Sequence, residues 1–513
     1  MNQDTHQFVS RASLKFFSGT FLSRISGMLR DMSMAFCFGT AAPLAAFLLV
    51  YRFVYLIRRL LGEGLLHQGF IPYFETKKAI DPKKGALFFR DLFWSLALLL
   101  GILVFASEIT LSFFKGETIQ LAMWMLPGIF FICLFGLATG LLHAEKSFFL
   151  PSVSPVASNG VWILGVVLLA RLEIHHAVKG LAMILSFAFF VQWVMTVPKT
   201  WSYLRSHLSV KEIFSTVAFS AELKELIRPL LLGVVGVAAV QINSVIDGIF
   251  VRFADLEGPA YLWYAIRLQQ LPLALFGIAL STALLPSLSR AVEEGAMERY
   301  RSLLDFAKTR AFTLIFPCVI GIFVLGLPSV NLLFGRGGFS PEATYQTTLC
   351  LWCYGVGLLP AAFVQVLAPG FYAKKNYRIP TLGFVYASLI NVGLNALLIF
   401  YFKLGAASVA LATSASALFN MIYLWKKLGQ PTAGFPAMAK VGLCAILAGG
   451  AALLFGYFLL KEGTIPMCFG NLSFPRELPT QLLHLGLQAG IYFSIFFVLF
   501  LKIRPAEVSL EEF

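Results

Sequence analysis

Apolar residues run through this chain in stretches long enough to cross a bilayer, which takes roughly 20 residues of helix, and polar positions fall mostly between them. The pattern predicts spans near 15–42, 43–66, 86–114, 118–142, 152–171, 178–200, 228–253, 260–286, 310–334, 346–369, 380–402, 405–427, 437–460 and 481–503, fourteen in all. Stretches such as 96–105 and 496–501 are apolar all round, as lipid-facing or bundle-core helices should be. The predicted class is an all-α integral membrane protein. Composition agrees: 58% of the 513 residues are hydrophobic and 13% charged, which excludes a soluble domain with a single span. No cleavable signal peptide is expected. The first seven residues are polar, and the apolar stretch after them is long and carries arginines.

A formal net charge of +14 first suggests nucleic acid, but its placement argues against that partner. With the amino terminus inside, basic residues gather in the predicted cytoplasmic loops: Lys77, Lys78, Lys83, Lys84 and Arg90; Arg290, Arg299, Arg301, Lys308 and Arg310; Lys374, Lys375 and Arg378. This is the positive-inside bias, and it puts both termini in the cytoplasm. The charge then reflects topology and contact with anionic membrane lipids.

The chain echoes itself. His143-Ala144-Glu145-Lys146 leads to Pro151, and Tyr372-Ala373-Lys374-Lys375 leads to Pro380 with the same Ala-to-Pro spacing, each after a glycine (Gly140, Gly370). Gly69-Phe70-Ile71-Pro72 pairs likewise with Ala283-Leu284-Leu285-Pro286. Two six-helix halves, about 1–205 and 225–430, fit both echoes as parallel repeats about an axis along the membrane normal. The expected organisation is an N-lobe at 1–205, a C-lobe at 206–430, and two further spans at 431–513 after the turn-rich break Gln430-Pro431-Thr432-Ala433-Gly434-Phe435-Pro436.

Charges inside the spans carry the functional signal. Arg24 and Arg30 fall in the first span, Arg52, Arg58 and Arg59 in the second, and Arg267 in the eighth. A cation at the centre of a bilayer helix costs about 2.5–3.5 kcal/mol on insertion scales, so several of them point to an anion held in a cavity shielded from lipid. Arg24 and Asp31 share a helix face and are placed to pair, leaving Arg30 pointing elsewhere. Ser23, Ser26 and Gly27 permit close helix approach. Snorkelling to the cytoplasmic rim is the alternative for Arg58 and Arg59. Guanidinium groups fork onto two oxygens and stay charged, so three or four of them suit a diphosphate and suit a neutral sugar poorly.

Asp247, in Gln241-Ile-Asn-Ser-Val-Ile-Asp247, is the clearest isolated carboxylate in a span, and Asn391 and Asn395 share a face of the eleventh. These oxygens would suit Na⁺, or Asp247 a proton. The other reading is a carboxylate hydrogen-bonded to nearby Asn and Ser side chains. Cys350 and Cys353 form a CxxC within an apolar helix, which favours core packing over redox or metal chemistry. Cys468 is the one candidate external cysteine, and His175-His176 is expected in a short external turn. There is no Walker loop, HExxH or GxSxG, and no pair of external carboxylates that a lipid-linked sugar transferase would need. A transporter without covalent chemistry fits best, with no bound cofactor.

Several strings resemble the MurJ (MviN) lipid II flippase family: Leu22-Ser-Arg-Ile-Ser-Gly-Met-Leu-Arg-Asp31, Arg58-Arg-Leu-Leu-Gly-Glu-Gly64 with Phe70-Ile-Pro72, Trp263-Tyr-Ala-Ile-Arg267 with Leu271-Pro272 and Gly277-Ile-Ala-Leu280, Leu284-Leu-Pro-Ser-Leu-Ser-Arg290, and Val366-Leu-Ala-Pro-Gly-Phe-Tyr372. Together they cover about 8–430. The resemblance implies the multidrug/oligosaccharidyl-lipid/polysaccharide (MOP) exporter superfamily, with two lobes forming a V around a cationic cavity and two extra helices making a groove for a lipid tail. It implies a monomer in the bacterial cytoplasmic (inner) membrane that moves lipid II, the undecaprenyl-pyrophosphate-linked peptidoglycan precursor, to the outer leaflet by alternating access. Family arginines map onto Arg24, Arg30, Arg58 and Arg267, with Asp31, Arg52 and Arg59 as secondary cavity residues. A sodium site maps onto Asp247, Asn391 and Asn395. The sequence departs from the family at Ala45, Ile266, Gln270 and Asn395, where acidic residues are usual, which leaves the cavity more positive and Arg267 with fewer acidic partners. The alternatives are an exporter of another lipid-linked oligosaccharide or a drug, a membrane glycosyltransferase, and a cell-wall scaffold.

Overall fold

A computed structural model describes residues 2–60, 65–215, 241–429, 434–459 and 475–503, and all regular structure among them is helical. The chain divides into two compact units, Met1–Gly248 and Ile249–Phe513. The first holds α1 (Asn2–Phe38), α2 (Ala42–Ile57), α3 (Leu65–Ile80), α4 (Pro82–Ser112), α5 (Glu117–Ala144), α6 (Phe149–Leu169), α7 (Ile174–Val194), α8 (Val197–His207) and α9 (Val210–Phe214). A further helix, α10, runs over 241–254. The second holds α11 (Gly258–Pro272), α12 (Ile278–Glu293), α13 (Met297–Phe334), α14 (Pro341–Ala373), α15 (Arg378–Ala396), α16 (Ala407–Leu428), α17 (Phe435–Leu459) and α18 (Leu478–Ile503). In the first unit α1 packs on α6 and α5 on α7; in the second α14 lies against α11, α12, α13 and α16.

Ten helices among the described residues are long and apolar enough to cross a membrane, against fourteen predicted spans. The others are the stretches that carry the candidate charges. Arg24, Arg30 and Asp31 lower the hydropathy of α1. The second span turns from α to π geometry at 58–60, and α11 gives way to a π segment at Leu273–Gly277. The predicted span 228–253 is described only from 241. A third π segment, Leu397–Tyr401, follows Asn391 and Asn395. Such local widening of the helix recurs at functional sites.

The first echo folds the same way in both copies. Lys146 and Lys375 both have φ 56°, a left-handed conformation that side chains other than glycine and asparagine seldom adopt. Lys146 N–H donates to the His143 carbonyl (3.0 Å) and Ser147 N–H to Leu142 (2.7 Å); Lys375 N–H donates to Tyr372 (2.9 Å) and Asn376 N–H to Phe371 (3.0 Å). Both are Schellman caps on the preceding helix. Pro151 and Pro380 then occupy the third position of α6 and α15, where a missing N–H costs nothing. The glycine before each cap is a close-packing point: a Cβ at Gly140 would lie 3.1 Å from Phe70, and one at Gly370 would lie 3.1 Å from the Tyr300 hydroxyl.

α17 and α18 pack on each other and on α13. The Tyr492 hydroxyl donates to the Pro317 carbonyl (2.6 Å). Only 11% of the most apolar stretch of α18 is buried, and Leu482, Leu483, Phe493 and Phe497 are exposed, so this helix turns a broad face to lipid. Of the break at 430–436, residues 430–433 lie outside the described residues, as do Cys468 and most of 461–480.

Not all the basic residues assigned to cytoplasmic loops are loop charges. Arg90, Lys308 and Arg310 sit on helices and are buried. Lys308 Nζ lies 2.5 Å from Asp305 and over the Trp425 ring at 5.2 Å. Arg90 donates to Asp91 (2.6 and 2.9 Å) and to the Glu212 carbonyl (2.7 Å). The indole N–H of Trp94 donates to the Ile213 carbonyl (2.9 Å). These two bonds tie short α9 to α4. Ser209 and Glu212 form a capping box at the start of α9, and Lys83 pairs with Glu212 at 2.7 Å.

The Lys83 contact, helped by the Ser209 N–H and hydroxyl, pulls the Glu212 carboxyl down to about 2. Because the folded value lies below the ordinary one, its contribution to docking α9 is present above the usual carboxylate range and is lost as pH falls toward 2. We expect Trp94 fluorescence to change as pH falls through that window, and the change to be absent in Glu212→Gln, which has no carboxylate to protonate.

Candidate functional site

Within the first unit, the most developed polar cluster surrounds Arg30. Its guanidinium is buried, with Nε and Nη2 both donating to one oxygen of Asp31 (3.0 and 2.7 Å). Nη1 donates to the side-chain oxygen of Asn159 (3.1 Å) on α6. The guanidinium carbon lies over the Trp162 ring, 4.5 Å from its centroid. Trp162 is held edge-on by Phe47 and Tyr51 of α2 at 5.7 and 5.2 Å. Asn159 in turn donates to the Ser26 hydroxyl (2.9 Å), back on α1. A buried charge is tolerable only when paired and hydrogen-bonded, and here α1 and α6 meet that condition while α2 braces Trp162.

This corrects the expected pairing of Asp31 with Arg24. Asp31 pairs with its neighbour Arg30, while Arg24 is exposed on α1. A shared face at seven residues' separation says which side chains point the same way. It does not weigh the long Arg side chain, which curls back onto the adjacent carboxylate once Asn159 and Trp162 fix its far end.

Arg52 is buried, and its Nη1 donates to the Ser244 carbonyl of α10 (3.1 Å). Gly248 makes room for it, since a Cβ there would lie 3.0 Å from Arg52 Cδ. Arg58 and Arg59 are half-buried, each over the Tyr55 ring at 5.7 and 5.4 Å, and Arg59 Nε donates to the Tyr55 hydroxyl (3.2 Å). Arg58 lies near enough for its charge to act on Arg30. The first unit therefore brings Arg30, Asp31 and Arg58 into one neighbourhood, adds Asn159 and Trp162, and leaves Arg24 exposed. The last two escaped the sequence reading, although an Asn and a Trp three apart in a predicted span were visible as a polar-aromatic face.

In the second unit Arg267 is half-buried, with its guanidinium over the Trp263 ring at 4.1 Å, one helical turn earlier. Asn391 and Asn395 are fully buried: Asn395 donates to the Asn391 side-chain oxygen (3.1 Å), and Asn391 to the Thr413 hydroxyl (3.4 Å). Asp247 is buried in the first unit.

Other polar candidates have plain roles. Cys350 and Cys353 are free thiols in α14, and a helical CxxC there packs against α16, whose Ser414 hydroxyl donates to the Cys353 carbonyl. His175 and His176 lie in the first turn of α7, not in a turn between helices; they contact Glu117 (2.7 Å) and Glu173 (3.2 Å). No cluster of three His, Cys, Asp or Glu suited to a metal occurs among the described residues.

The fold is that of MOP-superfamily transporters. A solved structure titled "Lipid II flippase MurJ, inward closed conformation" superposes with a TM-score of 0.75 at 22% identity, over 96% of this chain and 99% of that one. A multidrug resistance MATE family transporter of the MOP superfamily, in an inward-facing conformation, gives 0.64 at 15% identity, over 83% of this chain and 99% of the other. In sequence, the family model described as "Lipid II flippase MurJ" matches residues 34–472. The chain belongs to the lipid II flippase MurJ family. A "Probable lipid II flippase MurJ" of Chlamydia muridarum is 31% identical, with 96% of this chain and 93% of the relative covered. A "Lipid II flippase MurJ" of Burkholderia cenocepacia is 29% identical, with 86% and 89% covered.

Proposed function

We propose that this protein is a lipid II flippase, carrying the undecaprenyl-pyrophosphate-linked peptidoglycan precursor from the inner to the outer leaflet of the bacterial cytoplasmic membrane, with both termini in the cytoplasm. Membership of the MurJ family supports the substrate. The observation that carries the reading is the buried guanidinium of Arg30, built into a membrane helix on supports from two others. A membrane protein that needed only a solid core would not retain it.

In this reading the diphosphate is held by Arg24, Arg30, Arg58 and Arg267 while the two lobes alternate access. Arg52 and Arg59 add positive potential, and Asp31 holds Arg30 between cycles. The polyprenyl tail stays in lipid beside α17 and α18. No bond is made or broken, so the work is binding and release. An inside-negative potential favours outward movement of an anion by about 2.3 kcal/mol per charge per 100 mV. Coupling to Na⁺ or a proton would use Asp247, Asn391 and Asn395, and the protein acts as a monomer.

Two measurements test the proposal together. Depleting the protein in its host should accumulate lipid II in the inner leaflet. Vesicles carrying the purified chain should then expose labelled lipid II on the opposite face. An unchanged leaflet distribution together with inert vesicles rejects the function.

A further inference from the structure

We infer that Asn159 and Trp162 of α6 are positioning residues for Arg30: they aim its guanidinium so that the substrate diphosphate replaces Asp31 while the α6 contacts persist. The inference rests on the flippase reading and goes beyond it by assigning work to two side chains outside the arginine set.

The geometry of the guanidinium carries the argument. Arginine only donates, so the group facing Nη1 is the Asn159 oxygen, which leaves the Asn159 amide nitrogen to face Ser26. That nitrogen lies 2.9 Å from the Ser26 hydroxyl and 3.4 Å from the Ser23 carbonyl. The amide is thus locked at both ends, one to α1 and one to the guanidinium. Trp162, 2% exposed, supports the face of the same group and is itself wedged against Phe47 and Tyr51. Two contacts from α6, the Asn159 oxygen and the Trp162 ring, thus hold the group on the side away from Asp31's bonds.

The Asp31 side is made differently. Nε and Nη2 converge on a single carboxylate oxygen, whereas a guanidinium fork matches two oxygens in parallel bonds. A phosphate offers those two oxygens and more charge than a carboxylate. It is therefore the Asp31 edge that a phosphate can take over, and the Asn159 and Trp162 contacts that hold the group still while it does so.

A charge swap separates this from simple packing. Measured as lipid II binding to purified protein, Asn159→Ala should weaken affinity about tenfold, the loss of one charge-assisted hydrogen bond. Asn159→Asp, nearly isosteric, puts a second carboxylate on Arg30 and should bind more weakly than the alanine variant. The double variant Asp31→Asn with Asn159→Asp exchanges acid and amide around the same guanidinium and should return to within about threefold of the unsubstituted chain. Trp162→Phe should keep most of the affinity, and Trp162→Leu should lose it. Thermal midpoints are recorded for every variant, and the isosteric pair decides the matter should the alanine or leucine variants fail to fold. If the swap stays as weak as Asn159→Asp alone, or Asn159→Asp binds normally, the inference is overturned. If Arg30→Lys binds as well as the unsubstituted chain, the inference is likewise overturned; if the unsubstituted chain does not bind lipid II, the flippase reading fails instead.

Discussion

Arg267→Ala should abolish lipid II translocation while the chain still folds and inserts. The structural loss is small. Arg267 is half-buried over Trp263 at 4.1 Å, and such a cation–π contact contributes about 0.5–2 kcal/mol. The functional loss is larger, because a charge-assisted bond to phosphate contributes about 1.5–3 kcal/mol, or roughly 10- to 150-fold in affinity for a single contact. Guanidiniums that act on one head group act as a unit, so the loss of one compounds in the transport rate. Arg267→Lys keeps the charge and loses the fork, and an intermediate rate is expected. The check is translocation by reconstituted vesicles at matched protein incorporation. Normal transport by the alanine variant removes Arg267 from the binding set.

The neighbours of Arg267 sharpen this expectation. Ile266 and Gln270 are uncharged, and the guanidinium lies over the Trp263 ring one turn away. An aromatic face steadies a cation without neutralising it. The same logic applies to Arg58 and Arg59 over Tyr55.

What was legible in the sequence follows rules that act locally. The matched spacing of glycine, basic residues and proline marked the two echoing segments, and both fold into the same Schellman cap, although lysine at the left-handed position is not what helix-end rules anticipate. The membrane class followed from uninterrupted apolar length, and the intramembrane arginines stood out against it. The partner of Asp31 was not legible, since the residues that decide it, Asn159 and Trp162, lie on α6 and reach α1 only through packing. The burial of Lys308 was hidden in the same way: a lysine in a basic run looks solvated until Trp425 and Asp305 are seen against it. The count of spans also blurred where it mattered. α2 and α11 pass into π geometry beside Arg58 and beyond Arg267, and no periodicity rule registers one extra residue in a turn. The helical pattern falters at Arg58 and beyond Arg267, whereas Arg30, Asn159 and Trp162 sit in regular helix.

Arg30→Ala should be the most destabilising single change among the candidate residues, and its cause can be isolated from its effect on transport. Asp31 is 1% exposed and receives two N–H groups from Arg30. Removing one member of a buried ion pair costs roughly 3–5 kcal/mol, since the remaining charge keeps its desolvation penalty. Removing both members is far milder, so Arg30→Ala with Asp31→Ala should recover most of the lost thermal midpoint. Transport separates the two roles: the double variant should be stable and inactive, because its anion-binding group is gone. Asp31→Ala alone leaves an arginine still hydrogen-bonded to Asn159 and stacked on Trp162, so it should lose less stability than Arg30→Ala and still bind lipid II. Midpoints measured in one detergent at one heating rate, set beside vesicle transport for the three variants, check the set. A double variant as unstable as Arg30→Ala would show that the pair is not what holds this corner of the first unit, and one that transports normally would take Arg30 out of the substrate site.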